Sequence, residues 1–459
     1  MKQTKSRFPL QIDKIVAGGF GLGRHEGQVV FVPQSAPGDR LLVEPFERKR
    51  DFLRAAVVEV VEASPDRRQP PCPYFASCGG CSMMHLRPQA QQEAKLQILL
   101  ESLRRGGGFD FKDEVPVRMG PESGYRAKAR FHVKQTRRGP VIGFHAEGTH
   151  RVVDIDRCLQ ISDATNRVLG ELRGWVAANR QRASGIESFE LIESGGPLGS
   201  DSTEAGISGG RLLVHFLVKT GRAPGRRDLE ELVQKVGLAG LVVTESGLTT
   251  VPRVSRRLGE TKTRHRVAGF ELDASVHAFF QANRFLLDAL VAEVVPADGP
   301  VGPVEQAEQA GQRLGRVVDL YCGGGLFCLP LAGLADAVVG VEISPTAVAD
   351  ARANARRAGI ANITFREESS ADFAAREGFE GVDFMVADPP RGGLERTVVE
   401  TLCRQPPKEL RYVSCDPASL GRDAGRLRRG GLELARLVLL DFFPNTHHIE
   451  SVATFRPRK

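Results

Sequence analysis

No stretch of the chain is apolar over the roughly 18 residues a membrane span needs. The opening Met1-Lys2-Gln3-Thr4-Lys5-Ser6-Arg7 is not followed by an apolar core long enough for a secretory signal. The expectation is a cytoplasmic protein with no membrane partner. No internal repeat is found, which excludes a solenoid or propeller. A large excess of one charge is also missing: 63 basic side chains stand against 56 acidic ones, a net charge of +7 that favours a polyanionic partner without requiring one. Hydrophobic and charged fractions of 41% and 26% are those of a globular protein, and 459 residues suffice for two to four domains.

Cysteine is scarce but clustered. Of eight, three fall within Pro71-Cys72-Pro73-Tyr74-Phe75-Ala76-Ser77-Cys78-Gly79-Gly80-Cys81, and Cys158 follows far downstream. Disulfides are rare in the cytosol, so clustered thiols read as metal ligands or redox groups. The spacing supplies four soft thiolates, enough for a [4Fe-4S] cluster or a tetrahedral Zn2+. Gly79 and Gly80 allow a tight turn around a bulky group, which favours iron-sulfur.

The pattern along the chain changes twice. Residues 1–63 are dense in short strand signals separated by Gly18-Gly19-Phe20-Gly21 and Pro37-Gly38-Asp39, predicting a small β-barrel with Arg48, Lys49, Arg50 and Arg54 on its surface. Residues 64–270 carry the cysteines, a helix from Gln89 to Arg105 and a β-rich stretch, with an exposed loop at Ser194 to Ser200. There Tyr125 to Lys134 alternates strictly, placing Arg126, Lys128, Arg130, His132 and Lys134 on one strand face with no acid among them. Like charges in a row repel, so the face is expected to meet a polyanion. Pro296 to Gly315 reads as a linker or surface excursion.

Residues 271–459 turn to alternating strands and helices, the mark of a parallel α/β sheet. Asp319-Leu320-Tyr321-Cys322-Gly323-Gly324-Gly325 joins a buried strand to a helix, and the next strand ends in Glu342. Glycines let backbone approach a ligand, and an acid there can accept from a ribose diol. This turn has neither the G-x-G-x-x-G form nor a phosphate-loop lysine, so S-adenosylmethionine is favoured over NAD or ATP. A further strand ends in Asp388-Pro389-Pro390-Arg391, where prolines stiffen the turn and Arg391 replaces the aromatic residue that amino-group methyltransferases carry. Another ends in Ser414-Cys415-Asp416-Pro417, placing a thiol at the same sheet edge. Such a thiol can be a nucleophile, and it is expected to need electropositive surroundings to ionise. Cys322, Cys328 and Cys403 read as packing residues.

Together with Gln281-Ala282-Asn283 and Asp441-Phe442-Phe443-Pro444-Asn445-Thr446-His447-His448-Ile449-Glu450, these motifs resemble the RNA (uracil-5-)-methyltransferase family over nearly the whole chain. The four cysteines and the barrel, similar to a TRAM domain, resemble its iron-sulfur members that modify 23S ribosomal RNA. The resemblance implies a Rossmann-like class I methyltransferase domain beside a β-rich central domain and a TRAM or OB-like barrel. It implies Cys415 as nucleophile and Glu450 as base, with Gln281, Tyr321, Glu342 and Asp388 lining the cofactor and substrate pocket. Cys72, Cys78, Cys81 and Cys158 would hold a [4Fe-4S] cluster. Leu326 stands where members often carry Asn or Gly, so no cofactor contact is assigned there. The implied activity is methylation of uridine carbon 5 in 23S rRNA by a monomer. A transfer RNA substrate and a noncatalytic ribosome-assembly module are the alternatives.

Overall fold

The computed structural model describes residues 7–195, 211–246, 253–296 and 313–458. Most of the loop at Ser194 to Ser200 and of the linker at Pro296 to Gly315 lies outside them.

Residues 8–62 form a curled six-stranded sheet in which alternate side chains, among them Leu10, Ile12, Val30, Val43 and Leu53, face one small core. Asp39 and Arg67 tie this sheet to the cysteine-bearing segment, with Arg67 Nη2 2.8 Å from a fully buried Asp39 oxygen. The middle of the chain builds a seven-stranded sheet whose one face is covered by the Asp163–Ala178 and Arg226–Val236 helices. In its Lys128–Thr136 strand the expected alternation is present: Ala129 and Phe131 are buried against those helices, while Lys128, Arg130 and Lys134 point to the open face.

The C-terminal sheet has eight strands in the order Ile363–Glu367, Ala335–Glu342, Leu314–Leu320, Val382–Ala387, Glu409–Ser414, Glu450–Pro457, Leu432–Leu440 and Val117–Arg118. The first five run parallel, and Glu450–Pro457 lies antiparallel to its neighbour. From Leu314–Leu320 the chain first winds outward to Ile363–Glu367, then returns to Val382–Ala387 on the other side. Its topological switch point therefore lies between Leu320 and Ala387, where open α/β sheets bind ligands.

Two corrections concern the segment after the barrel. The Pro88–Ser102 helix buries Ile98 and Leu99 in the same core as Leu320, Leu420 and Leu427, and Val117–Arg118 adds an edge strand to the C-terminal sheet. Part of the stretch expected in the central domain thus belongs spatially to the C-terminal α/β core. Close helix contact makes this possible: a Cβ on Gly421 would sit 2.3 Å from the Ser102 carbonyl oxygen, so only glycine fits.

Candidate active site

Local sequence explains how each group reaches the switch point. The Leu314–Leu320 strand ends at Tyr321, whose φ of 62° turns the chain sharply, and Gly323 and Gly325 continue the turn at φ 52° and 89°. Glu342 at the end of the next strand accepts from the Gly323 and Ser344 amides, at 3.1 and 2.8 Å. Ser344 then caps the Pro345–Arg357 helix. Glu342 thus closes the glycine turn and keeps further lone pairs for a ligand. Beside it Ile343 is 69% exposed, an apolar surface that sequence reasoning passed over. Its signal was an isoleucine placed directly after the strand-end acid.

Cys415 lies between the end of the Glu409–Ser414 strand and Asp416, whose carboxylate caps the Pro417–Arg429 helix by accepting from Ser419 N at 2.7 Å. Strand and cap together fix the thiol at the sheet edge. The antiparallel register pairs Ser414 with Ser451, which leaves Cys415 and Glu450 at the same end of the two strands, near enough for the carboxylate to act on the thiol. Gln281 donates from Nε2 to Asp388 Oδ2 at 3.3 Å, joining two more of the expected site residues. Tyr321 hydrogen-bonds through its hydroxyl to Glu395 instead of pointing freely at a ligand.

The electrostatics differ from expectation. Burial pushes the Cys415 thiol up to about 11, the Glu450 and Asp388 carboxylates add to this, and Arg391 only partly offsets them. Cys415 is therefore held as the thiol in the free protein, not in electropositive surroundings. Burial and the neighbouring Asp388 likewise raise Glu450 well above the usual carboxylate range, and burial raises Asp388. Arg391 itself reaches His448, Nη2 to Nδ1 at 3.3 Å. Asp319, beneath the turn, is fully buried with one oxygen unpartnered and is pushed by burial up to about 7; Cys328 donates to its other oxygen at 3.0 Å. Cys322 and Cys328 are buried, and Cys403 is half-buried.

Folding brings Cys72, Cys78, Cys81 and Cys158 around one cavity of about 80 Å³. A Cβ on Gly79 would lie 2.8 Å from the His145 carbonyl, so glycine there lets the loop close on the neighbouring strand. Arg126 and Gln160 line this cavity, and three of their buried polar atoms lack protein partners: Arg126 Nε and both ends of the Gln160 amide. Buried polar groups are seldom left unpaired, and the two donors among these, Arg126 Nε and Gln160 Nε2, belong to residues lining the cavity with four thiols, which suits an anionic group with sulfur acceptors. Among the described residues no group of three or more His, Cys, Asp or Glu side chains is placed to hold a metal ion, the four cysteines included.

The basic strand face is corrected as well. Glu190 pairs in register with Arg130 from the adjacent strand, 2.7 Å from Arg130 Nη2 and 3.2 Å from Lys128 Nζ. His132 lies tilted against His145 with ring centroids 3.8 Å apart, and Arg126 lies against the cysteine cavity. One acid from a neighbouring strand, invisible in the pattern of the strand itself, neutralises the centre of the face. On the barrel, Glu47 pairs with Lys49 and Arg54 at 3.0 and 3.4 Å.

Residues 304–456 match the family model described as tRNA (Uracil-5-)-methyltransferase. The chain is 32% identical to a 23S rRNA (uracil(1939)-C(5))-methyltransferase, RlmD, of Shewanella amazonensis, covering 99% of this chain and 96% of that protein. An RNA methyltransferase of Aquifex aeolicus, described as uncharacterized, is 30% identical, with 97% of each chain covered. Among solved structures, the Pyrococcus abyssi tRNA (uracil-54, C5)-methyltransferase in complex with S-adenosyl-L-homocysteine superposes with a TM-score of 0.71 at 25% identity, covering 98% of this chain and 100% of that one.

Proposed function

Because the chain belongs to the RNA (uracil-5-)-methyltransferase family, enzymes that methylate uracil carbon 5 in RNA from S-adenosylmethionine, we propose that its substrate is a uridine of 23S rRNA, methylated through a covalent Cys415 adduct. The observation that supports the mechanism is the closeness of Cys415, one residue past the Ser414–Ser451 pair, to Glu450, one residue before it, and to Asp388 of the Gln281–Asp388 pair. Carbon 5 of uracil is a poor nucleophile, and adding sulfur at carbon 6 makes it an enolate carbon. The reaction then needs one nucleophile and one base, each at its own position.

Bound S-adenosylmethionine supplies an electrophilic methyl group. The Gly323–Gly325 turn gives backbone room for it, Glu342 offers acceptors for a ribose diol, and Ile343 gives a purine ring an apolar surface. Tyr321 and the hydrogen-bonded Gln281 and Asp388 would border the same space. As sulfur bonds to carbon 6, the Cys415 proton passes to solvent water, to which the half-buried thiol is open. After carbon 5 has gained its methyl group, Glu450 takes the carbon 5 proton, the carbon 5–carbon 6 double bond re-forms, and the Cys415 sulfur departs. The raised proton affinity of Glu450 suits it to that abstraction once it is ionised.

The four thiols would hold a [4Fe-4S] cluster, with Arg126 and Gln160 donating to its sulfurs; its contribution would be a structural cross-link, because methyl transfer needs no electron. The curled N-terminal sheet, with exposed Arg48 and Arg50, would serve as a TRAM-like RNA-binding module in a monomeric cytoplasmic enzyme.

The test is RNA carrying 5-fluorouridine at the target, since fluorine cannot leave as a proton. A stable protein–RNA adduct that forms with the native enzyme and vanishes in Cys415→Ala is expected. An active enzyme that forms none overturns the covalent mechanism. Mapping 5-methyluridine in ribosomal and transfer RNA with and without the gene decides the substrate; loss from tRNA alone overturns the ribosomal assignment.

A further inference from the structure

The loop that leads into Glu450 is held from the segment that follows the cysteines, chiefly through one residue. Asn445 sits five positions before Glu450, is 3% exposed and takes φ 66°, a left-handed conformation that Asn tolerates better than most side chains. Its backbone carbonyl accepts from the Ser82 and Met83 amides at 3.0 and 2.9 Å, directly after Cys81. Its own amide donates to Gln91 Oε1 at 2.8 Å. Its side-chain oxygen accepts from Arg68 at 2.9 Å and from Gln91 at 3.2 Å, and its side-chain nitrogen donates to the Glu122 carbonyl at 2.9 Å.

A second link lies two residues on. Ser82 Oγ accepts from the His447 amide at 2.9 Å and hydrogen-bonds the His447 ring at 3.1 Å. Before the junction, the fully buried Lys95 donates to Asp441 and to the Phe443 carbonyl at 2.6 and 2.9 Å. Every one of these partners lies between residues 68 and 122, and none belongs to the parallel sheet that carries Cys415. Glu450 opens the Glu450–Pro457 strand and so shares a sheet with Cys415, but the loop that leads into Glu450 is held from outside that sheet, by the cysteine-bearing segment and the Pro88–Ser102 helix.

From this we infer that Asn445 and Ser82 are positioning residues for Glu450, and that the cysteine segment controls proton abstraction from carbon 5 separately from methyl transfer. The inference rests on Glu450 being the base. Loosening the clamp leaves sulfur addition and methylation intact and slows elimination. The molecule then stalls as a methylated protein–RNA adduct. The four-cysteine site thereby gains a consequence for catalysis without any redox step: damage to it registers as trapped substrate.

The experiment compares Ser82→Ala, Asn445→Gly and Glu450→Gln with the native holoenzyme in single turnovers on ordinary RNA. Glycine at 445 keeps the positive φ and removes only the side-chain bonds; Ser82→Ala is the milder change should the first fail to fold. Methyl incorporation and denaturant-resistant protein–RNA adduct are read from the same time course. Expected are near-native methyl incorporation and adduct release slowed about tenfold or more, a part of the 10²–10⁴ that a positioned base contributes. Glu450→Gln should show the same signature more strongly. If methylation and release fall together, or only the RNA concentration dependence changes, the clamp does not position the base and the inference is overturned. If Glu450→Gln itself accumulates no adduct, the base assignment fails and the inference falls with it.

Discussion

Glu190→Gln tests the electrostatics of the central sheet most directly. Burial alone would raise this carboxyl, but His215, Lys128 and Arg130 overcome that and hold it down to about 2 from an ordinary value of 4.5. A depressed carboxyl contributes stability above its unfolded value and loses it as pH falls through the folded one. At pH 7 the full effect is present, about 3 kcal/mol at 1.36 kcal/mol per pH unit. Glutamine keeps the shape and removes the charge, so the variant should unfold more easily at pH 7, with the difference from native protein shrinking below about pH 4. The same change frees Lys128 and Arg130, both within 3.2 Å of Glu190 in the native fold. Two released cations that meet phosphates steepen the salt dependence of single-stranded RNA binding by about 1.4 in log K per log salt. Raising salt fourfold, from about 50 to 200 mM, should then cost the variant about sevenfold more affinity than the native enzyme loses. Fluorescence anisotropy with a labelled RNA fragment measures this, and thermal unfolding measures the stability. A destabilised variant with an unchanged salt slope would show that this sheet face does not meet RNA phosphates.

The site itself carries two further expectations, and the cysteine cavity a third. Because the Cys415 thiol is held up to about 11, adduct formation with 5-fluorouridine RNA should accelerate about tenfold per pH unit between about pH 7 and 9; a flat profile in stopped time points would refute a thiol that stays protonated until attack. With ordinary RNA, acidification should slow adduct release by protonating Glu450, whose proton affinity is raised by burial and Asp388. Anaerobically purified protein should be brown with about four irons per chain and absorb broadly near 400 nm, and Cys158→Ser should lose that colour; colourless protein with stoichiometric zinc would overturn the cluster.

The local chemistry of this protein was legible from the chain alone. Strand-end positions for Glu342, Asp388 and Cys415 follow from short apolar runs broken by glycine, proline or a helix cap, because those residues act on the backbone within a few positions. The alternation in Lys128–Thr136 also survived into the fold, since side-chain direction in a strand has period two whatever lies opposite. What lies opposite was not legible. Glu190 reaches Arg130 across 60 residues of sequence, and only strand pairing brings it there. The same holds for Cys158 joining the three upstream thiols, and for the Pro88–Ser102 helix leaving its neighbours to pack on the methyltransferase core. The surroundings of Cys415 turned out acidic because antiparallel pairing brings Glu450 near it, an outcome of register rather than of local composition. Asn445 shows the limit most clearly. Its six protein hydrogen bonds are made with Arg68, Ser82, Met83, Gln91 and Glu122, more than 300 residues away in sequence, and only the folded chain ties the loop before Glu450 to them.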